Sequence, residues 1–195
     1  MLRPTEWMGH LLKDSTPLEL YAWQADDSAL PGGDILRGNP FGEARPGEPF
    51  TAVQNYFAEY HLEYFRQRLY PHFPSRLHAR LFFATRVDAD IFRSRHPARV
   101  LGRTLFRMRS EGAYICSFHD STWLDYLRLP HSLTLSRLDE LADHYWQGAL
   151  AEEVALTFLD EPWRQPPVIE ALFQGALKAA GTMTRRASGY LRGLA

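Results

Sequence analysis

Eleven arginines fall between Arg66 and Arg109, with no lysine and only Asp88 and Asp90 as acids, a formal +9 in a chain of net charge −1. The remainder therefore carries −10. Within this stretch Arg76, His78 and Arg80 alternate along PSRLHARLFFAT. On a β-strand alternate residues share a face, so these three form a cationic row suited to a phosphate or pyrophosphate, because guanidinium forks bind phosphate oxygens in pairs. Ser75 and Thr85 flank the row and offer hydroxyls to a ribose or a phosphate. The stretch from Asp139 to Glu161 holds seven acids. The segregation of charge thus fits either a surface built to meet an anion or one that meets the acidic part of the same chain.

A second group able to do chemistry is Glu153, next to Glu152 and just before Val154 to Leu159, which reads as a strand. If Val154, Leu156 and Phe158 face the core, Glu153 stands at the mouth of that strand on the face shared with Ala155 and Thr157. A carboxylate there can hold a ribose hydroxyl and stabilise the oxocarbenium-like cation formed when a glycosidic C–N bond breaks. The ordinary alternative is a pair of solvated loop glutamates. Other chemistry is less well served. His61, His72, His78 and His96 lack the spacing of a zinc site. His119-Asp120-Ser121 are adjacent and cannot take triad geometry. No glycine-rich phosphate loop occurs, and the single cysteine, Cys116, lies in an alternating apolar run that reads as core.

The elements that must position these groups follow from periodicity. LELYAWQ alternates Leu18, Leu20 and Ala22 with Glu19, Tyr21 and Trp23, a half-buried strand. Asp26 to Pro49 spends five of 13 glycines and four of 13 prolines, a long loop with room for a short strand near Asp34 to Leu36 and for a lid. Spacing predicts a helix over Thr51 to Tyr70, a strand over Arg76 to Thr85 with Leu77, Ala79, Leu81 and Phe83 on its core face, and a short helix over Val87 to His96 with Asp88 in its first turn. Strands over Arg103 to Arg109 and Ala113 to Phe118 are joined by a turn at Ser110-Glu111-Gly112. A helix capped by Ser136 ends at Gly148. After Pro162, Pro166 and Pro167, a last helix begins near Val168, with Ile169, Leu172, Phe173, Ala176, Leu177 and Ala180 on one side and Gly175 and Gly181 weakening it. Strands and helices mix without regular alternation, so the expected class is α+β: a single domain over 1–165 and a C-terminal helical extension over 166–195 packed on it.

The strand ending Phe82-Phe83-Ala84-Thr85 with a following short helix bearing Ala89 and Phe92, the Tyr145-Trp146-Gln147-Gly148 helix end, and Glu153 before VALTFL together resemble the ADP-ribosyltransferase-like superfamily. Pro74-Ser75-Arg76 with the tyrosine-tryptophan pair also resembles an uncharacterised bacterial group placed there. The resemblance spans about Leu18 to Leu159 through short motifs. It implies a split mixed or antiparallel β-sheet core flanked by helices, NAD as substrate, and Glu153 as the catalytic carboxylate. It implies a dinucleotide held by Tyr21, Ser75, Arg76, His78, Phe82, Thr85 and Trp146, with no metal. One departure stands in the first strand, where the superfamily usually offers histidine or arginine and LELYAWQ presents Tyr21 and Trp23; the resemblance then moves that role to Arg76 or His78.

The function expected on these grounds is NAD-dependent transfer of ADP-ribose to a protein or nucleic acid acceptor, as in a bacterial toxin or phage-conflict protein, with an antitoxin as a possible partner. Two alternatives stay open. The basic aromatic segment from Arg66 to Arg109 suits a nucleic-acid-binding module, although the whole chain has pI near 6.7. The same fold without activity would be an interaction protein. With no apolar run near the ~20 residues of a membrane span and no secretory signal pattern, the expected location is the cytoplasm.

Overall fold

The computed structural model describes residues 4–25, 49–128, 134–154 and 166–182. The loop over 26–48, the strand expected over 154–159 beyond its first residue, and the tail over 183–195 lie outside the described residues. After a 3-10 turn at Pro4–Trp7 come β1 (Leu11–Asp14), β2 (Glu19–Ala25), α1 (Pro49–Leu69), β3 (Arg80–Phe83), α2 (Arg86–Arg95), α3 (Pro97–Val100), β4 (Arg103–Asp120), α4 (Thr122–Leu127), α5 (Leu135–Gln147) and β5 (Ile169–Thr182). The class is α+β with an antiparallel sheet. Among the described residues, no helix is long and apolar enough to cross a membrane.

One long strand organises the sheet. Along one edge β4 pairs first with β2, from Arg109↔Glu19 to Arg103↔Ala25, and then with β1, from Tyr114↔Asp14 to Ser117↔Leu11. Its other edge pairs with β5 from Phe106 to Asp120. β5 pairs with β3 over Phe173–Glu170, and β3 meets β2 at Tyr21↔Phe83, so β4, β2, β3 and β5 close a four-stranded barrel. The hairpin turn expected at Ser110-Glu111-Gly112 is instead an irregularity inside β4, between Glu111 and Tyr114. Gly112 supplies its φ of 69°, and the strand runs on because the residues before and after the irregularity both pair with β5. Opposite this point β1 hands over to β2, with Ser110 Oγ accepting from Leu18 N at 2.8 Å and Asp14 Oδ1 from Thr16 N at 3.0 Å.

Three apolar clusters follow from strand alternation. Leu20, Phe82, Met108, Cys116, Phe118 and Phe173 fill the barrel. Leu62, Trp123, Leu141, Tyr145, Trp146 and Leu172 join α1, α4 and α5 to its outside. Trp23, Ala89, Val100 and Leu105 seat α2 and α3. Each large side chain buried in this way is worth roughly 1.5–3 kcal/mol.

Two expected elements are corrected. The C-terminal helix is absent over 169–182, where β5 stands. Ile169, Ala171 and Phe173 enter the barrel while Leu172 packs on the helical side, a period of two that coexists in this sequence with apolar spacing of three and four. The strand expected over Arg76 to Thr85 shrinks to Arg80–Phe83, with a turn before it in which His78 N and Ala79 N both reach Ser75 O. Its phase is also reversed, because Phe82 and Ala84 face the barrel whereas Leu81 packs against the helical cluster.

Candidate functional site

Glu170 is the second residue of β5, and its neighbours Ile169 and Ala171 point into the barrel. Glu170 therefore projects to the other face, beneath α1 and α5, where it is 6% exposed. Arg76, 2% exposed, lies against it. The Arg76 guanidinium grips Glu59 of α1 side-on, with Nε to Oε2 at 2.6 Å and Nη2 to Oε1 at 3.0 Å. Its Nη1 donates to Glu170 Oε1 and, at 2.8 Å, to the Tyr145 hydroxyl, which in turn donates to Glu170 Oε1 at 2.8 Å. The turn that presents Arg76 is pinned by Ser75 Oγ donating to Glu63 Oε2 at 2.8 Å.

The two carboxylates of this network behave differently. Burial works to raise the Glu59 carboxyl, but Arg76 and Arg128 outweigh it and hold it below the ordinary value. Burial prevails at Glu170, with Glu59 adding to the rise and Arg76 pulling against it, so that carboxyl lies above its ordinary value. The Glu170 Oε1 takes both donors, and Oε2 makes no hydrogen bond among the described residues.

Glu170, Arg76 and Glu59 line a cleft of about 200 Å³. Phe83 of β3, Phe92, Arg95 and His96 around the end of α2, Arg99 of α3, and Ser121, Asp125 and Arg128 around α4 complete much of its wall. Phe83 and Phe92 lie 4.9 Å apart, centroid to centroid. Asp120 fixes the rim: buried, it accepts from Thr122 N at 3.0 Å, Val168 N at 3.1 Å and Ala151 N at 2.9 Å. Asp88 ties α2 to β5 in a similar manner. Its Oδ1 accepts from Ile169 N at 2.8 Å while its Oδ2 accepts from Thr85 N at 2.9 Å in a capping box.

The residues expected at the site separate. Arg76 lies in the cleft, and Phe82 borders it while filling the barrel. Ser75 is spent on Glu63 and Thr85 on the α2 cap. His78 is exposed, so the cationic row of Arg76, His78 and Arg80 does not form. Tyr21 packs with the α2 cluster, and Trp146 is buried in the helical core with Nε1 donating to Leu62 O at 3.0 Å. Glu153 is exposed in the turn after α5, outside the cleft wall. Glu59, Glu170 and Arg128 were missed. An acid at the second position of an apolar strand, Val168-Ile169-Glu170-Ala171-Leu172-Phe173, was the signal for Glu170, hidden by the helical reading.

The remaining groups weighed in the sequence have structural partners. Burial pushes the Cys116 thiol far up, and it sits in the barrel. His119, Asp120 and Ser121 turn to separate partners: Tyr145 O, backbone amides and Val168 O. Among the described residues no group of three or more His, Cys, Asp or Glu could hold a metal. The chain matches no family model and no curated protein sequence.

Proposed function

We propose that the protein is an NAD-dependent ADP-ribosyltransferase-like enzyme, on a closed variant of that superfamily's split sheet, with Glu170 in the role expected of Glu153. The observation that carries this reading is a carboxylate held rigid by Arg76 and Tyr145, bordering a cleft, with one oxygen left without a hydrogen bond among the described residues. Such an oxygen can accept from a ribose hydroxyl. When the C–N bond to nicotinamide breaks, its electron pair leaves with the ring nitrogen and positive charge grows on the ribose, where a fixed carboxylate stabilises it. The acceptor nucleophile then attacks the anomeric carbon and loses its proton. Phe83 and Phe92 stack on the nicotinamide or adenine ring, in place of Tyr21 and Phe82 among the residues expected to hold the dinucleotide. At about 200 Å³ the cleft is smaller than the usual ~300–1,000 Å³ ligand pocket, so it takes a sugar and its neighbours rather than a whole dinucleotide.

Labelled NAD incubated with purified protein and lysate tests the reading. Glu170→Gln is expected to lower label transfer by about 10²–10³-fold, with Glu153→Gln transferring as the wild type does. Equal transfer by wild type and Glu170→Gln, or none by the wild type, would overturn it.

A further inference from the structure

Four arginines line the cleft, Arg76, Arg95, Arg99 and Arg128, against the acids Glu59, Asp125 and Glu170. Arg76 is consumed by Glu59 and Glu170. Arg128 is not satisfied in this way. Its contacts with Glu59 at 3.6 Å and Asp125 at 3.7 Å are longer than hydrogen bonds. Its Nε is shielded from solvent and has no hydrogen-bond partner among the described residues. A buried guanidinium N–H without an acceptor is costly and uncommon in a native fold. Arg99 adds a second positive charge near it. Burial first, then Arg99 and Arg76, lower Arg128 to about 10 against the opposite pull of Glu59 and Asp125. The Ser121 hydroxyl at this wall is spoken for, since its Oγ donates to Val168 O, and Thr122 Oγ1 behind it accepts from Arg95.

We propose that Arg128 and Arg99 form a phosphate subsite in the cleft, and that it takes the diphosphate of a nucleotide. A phosphate oxygen reaching the part-exposed Arg128 guanidinium supplies the hydrogen-bond acceptor that its long contacts with Glu59 and Asp125 do not, and a diphosphate brings negative charge beside both cations. The cleft's volume suits this group and the adjoining sugar. The assignment rests on the transferase reading only for the identity of the complete ligand; the subsite itself rests on Arg128.

Calorimetric titration of the full chain with inorganic pyrophosphate at roughly 0.15 M salt tests it. Saturable binding to the wild type is expected, weakened about tenfold or more in Arg99→Ala and in Arg128→Lys. Arg99 is exposed, so its variant should fold normally even if changes at Arg128 disturb the cleft. ADP-ribose is expected to displace pyrophosphate. No saturable pyrophosphate binding, or equal binding by wild type and both variants, would overturn the subsite, and failure of ADP-ribose to compete would overturn its assignment to a nucleotide. Pyrophosphate binding without label transfer leaves the subsite standing and removes the transferase reading, whereas label transfer without pyrophosphate binding does the reverse.

Discussion

Arg76 concentrates the electrostatics of the fold in one side chain. It is buried between two carboxylates and a tyrosine hydroxyl, and its own charge is strongly favoured by Glu170 and Glu59 despite burial. Removing it leaves both acids buried without their cation. Arg76→Ala is therefore expected to cost about 3–5 kcal/mol in urea unfolding. Arg76→Lys should recover little of this, because a point ammonium cannot reproduce the side-on grip on Glu59 while reaching Glu170. His119 sets the acid side of stability. Tyr145 O can only accept, so Nδ1 carries the proton and Nε2 accepts from Ser117 Oγ, leaving the ring neutral. Burial lowers its pKa from 6.5 to about 3. Between those values the unfolded chain binds the proton and the folded chain does not, so stability falls as pH drops below 6.5 and the loss is complete near 3. Of order 1.4 kcal/mol should be gone by about pH 5.5, measured by urea unfolding at the two pH values. The difference should shrink in His119→Asn. Glu59, held low, adds a loss of the same sign at lower pH, as its carboxyl is protonated.

At the scale of elements, the end of α5 depends on a close approach between two glycines. Gly148 closes the helix with φ of 76°, its N–H bonding Tyr145 O at 3.1 Å. A Cβ added there would stand 2.1 Å from Gly9 N, in backbone that cannot yield cheaply. Gly148→Ala is thus expected to destabilise by about 2 kcal/mol or more, beyond the ~1 kcal/mol of the left-handed conformation alone, with thermal unfolding as the measurement. This helix end was legible in the sequence, because glycine after an amphipathic run is a local signal. The α2 start was legible in part: Asp88 in the first turn was read, whereas Thr85, taken for a ligand hydroxyl, closes the capping box with it. β5 was not. Its apolar residues satisfy helical spacing and strand alternation at once, and only pairing with β3 and β4 decides between them.

For the whole molecule, β5 is the strand that makes the barrel and the cleft a single object. Residues 170–173 pair with β3 on one side and β4 on the other, whereas the described residues beyond Gln174 pair with β4 alone. Amide hydrogen exchange should accordingly show 170–173 opening only with global unfolding and 176–181 opening sooner. Equal, fast exchange across both segments would contradict the closed sheet. The charge segregation is resolved at this scale too. Arginines of the 66–109 stretch reach Glu19, Glu59, Glu63, Asp90, Asp125 and Glu170, two of them, Glu63 and Asp90, within one helical turn and none of these six from 139–161, and a subset of their neighbours gathers at the cleft.

What is encoded locally was readable from the chain alone: the α+β class, the helices α1, α2 and α5 with the Gly148 end of α5, the strand of Leu18, Leu20 and Ala22, and the choice of Arg76 as a residue of interest, whereas the expected cap Ser136 lies inside α5, which Thr134 precedes. Caps and short-range periodicity need only neighbours along the chain. Tertiary structure decided which carboxylate meets Arg76, since Glu59 and Glu170 stand 17 and 94 residues from it and no local spacing relates them. It also decided that 169–182 is a strand, because the hydrogen bonds that satisfy its backbone come from β3 and β4.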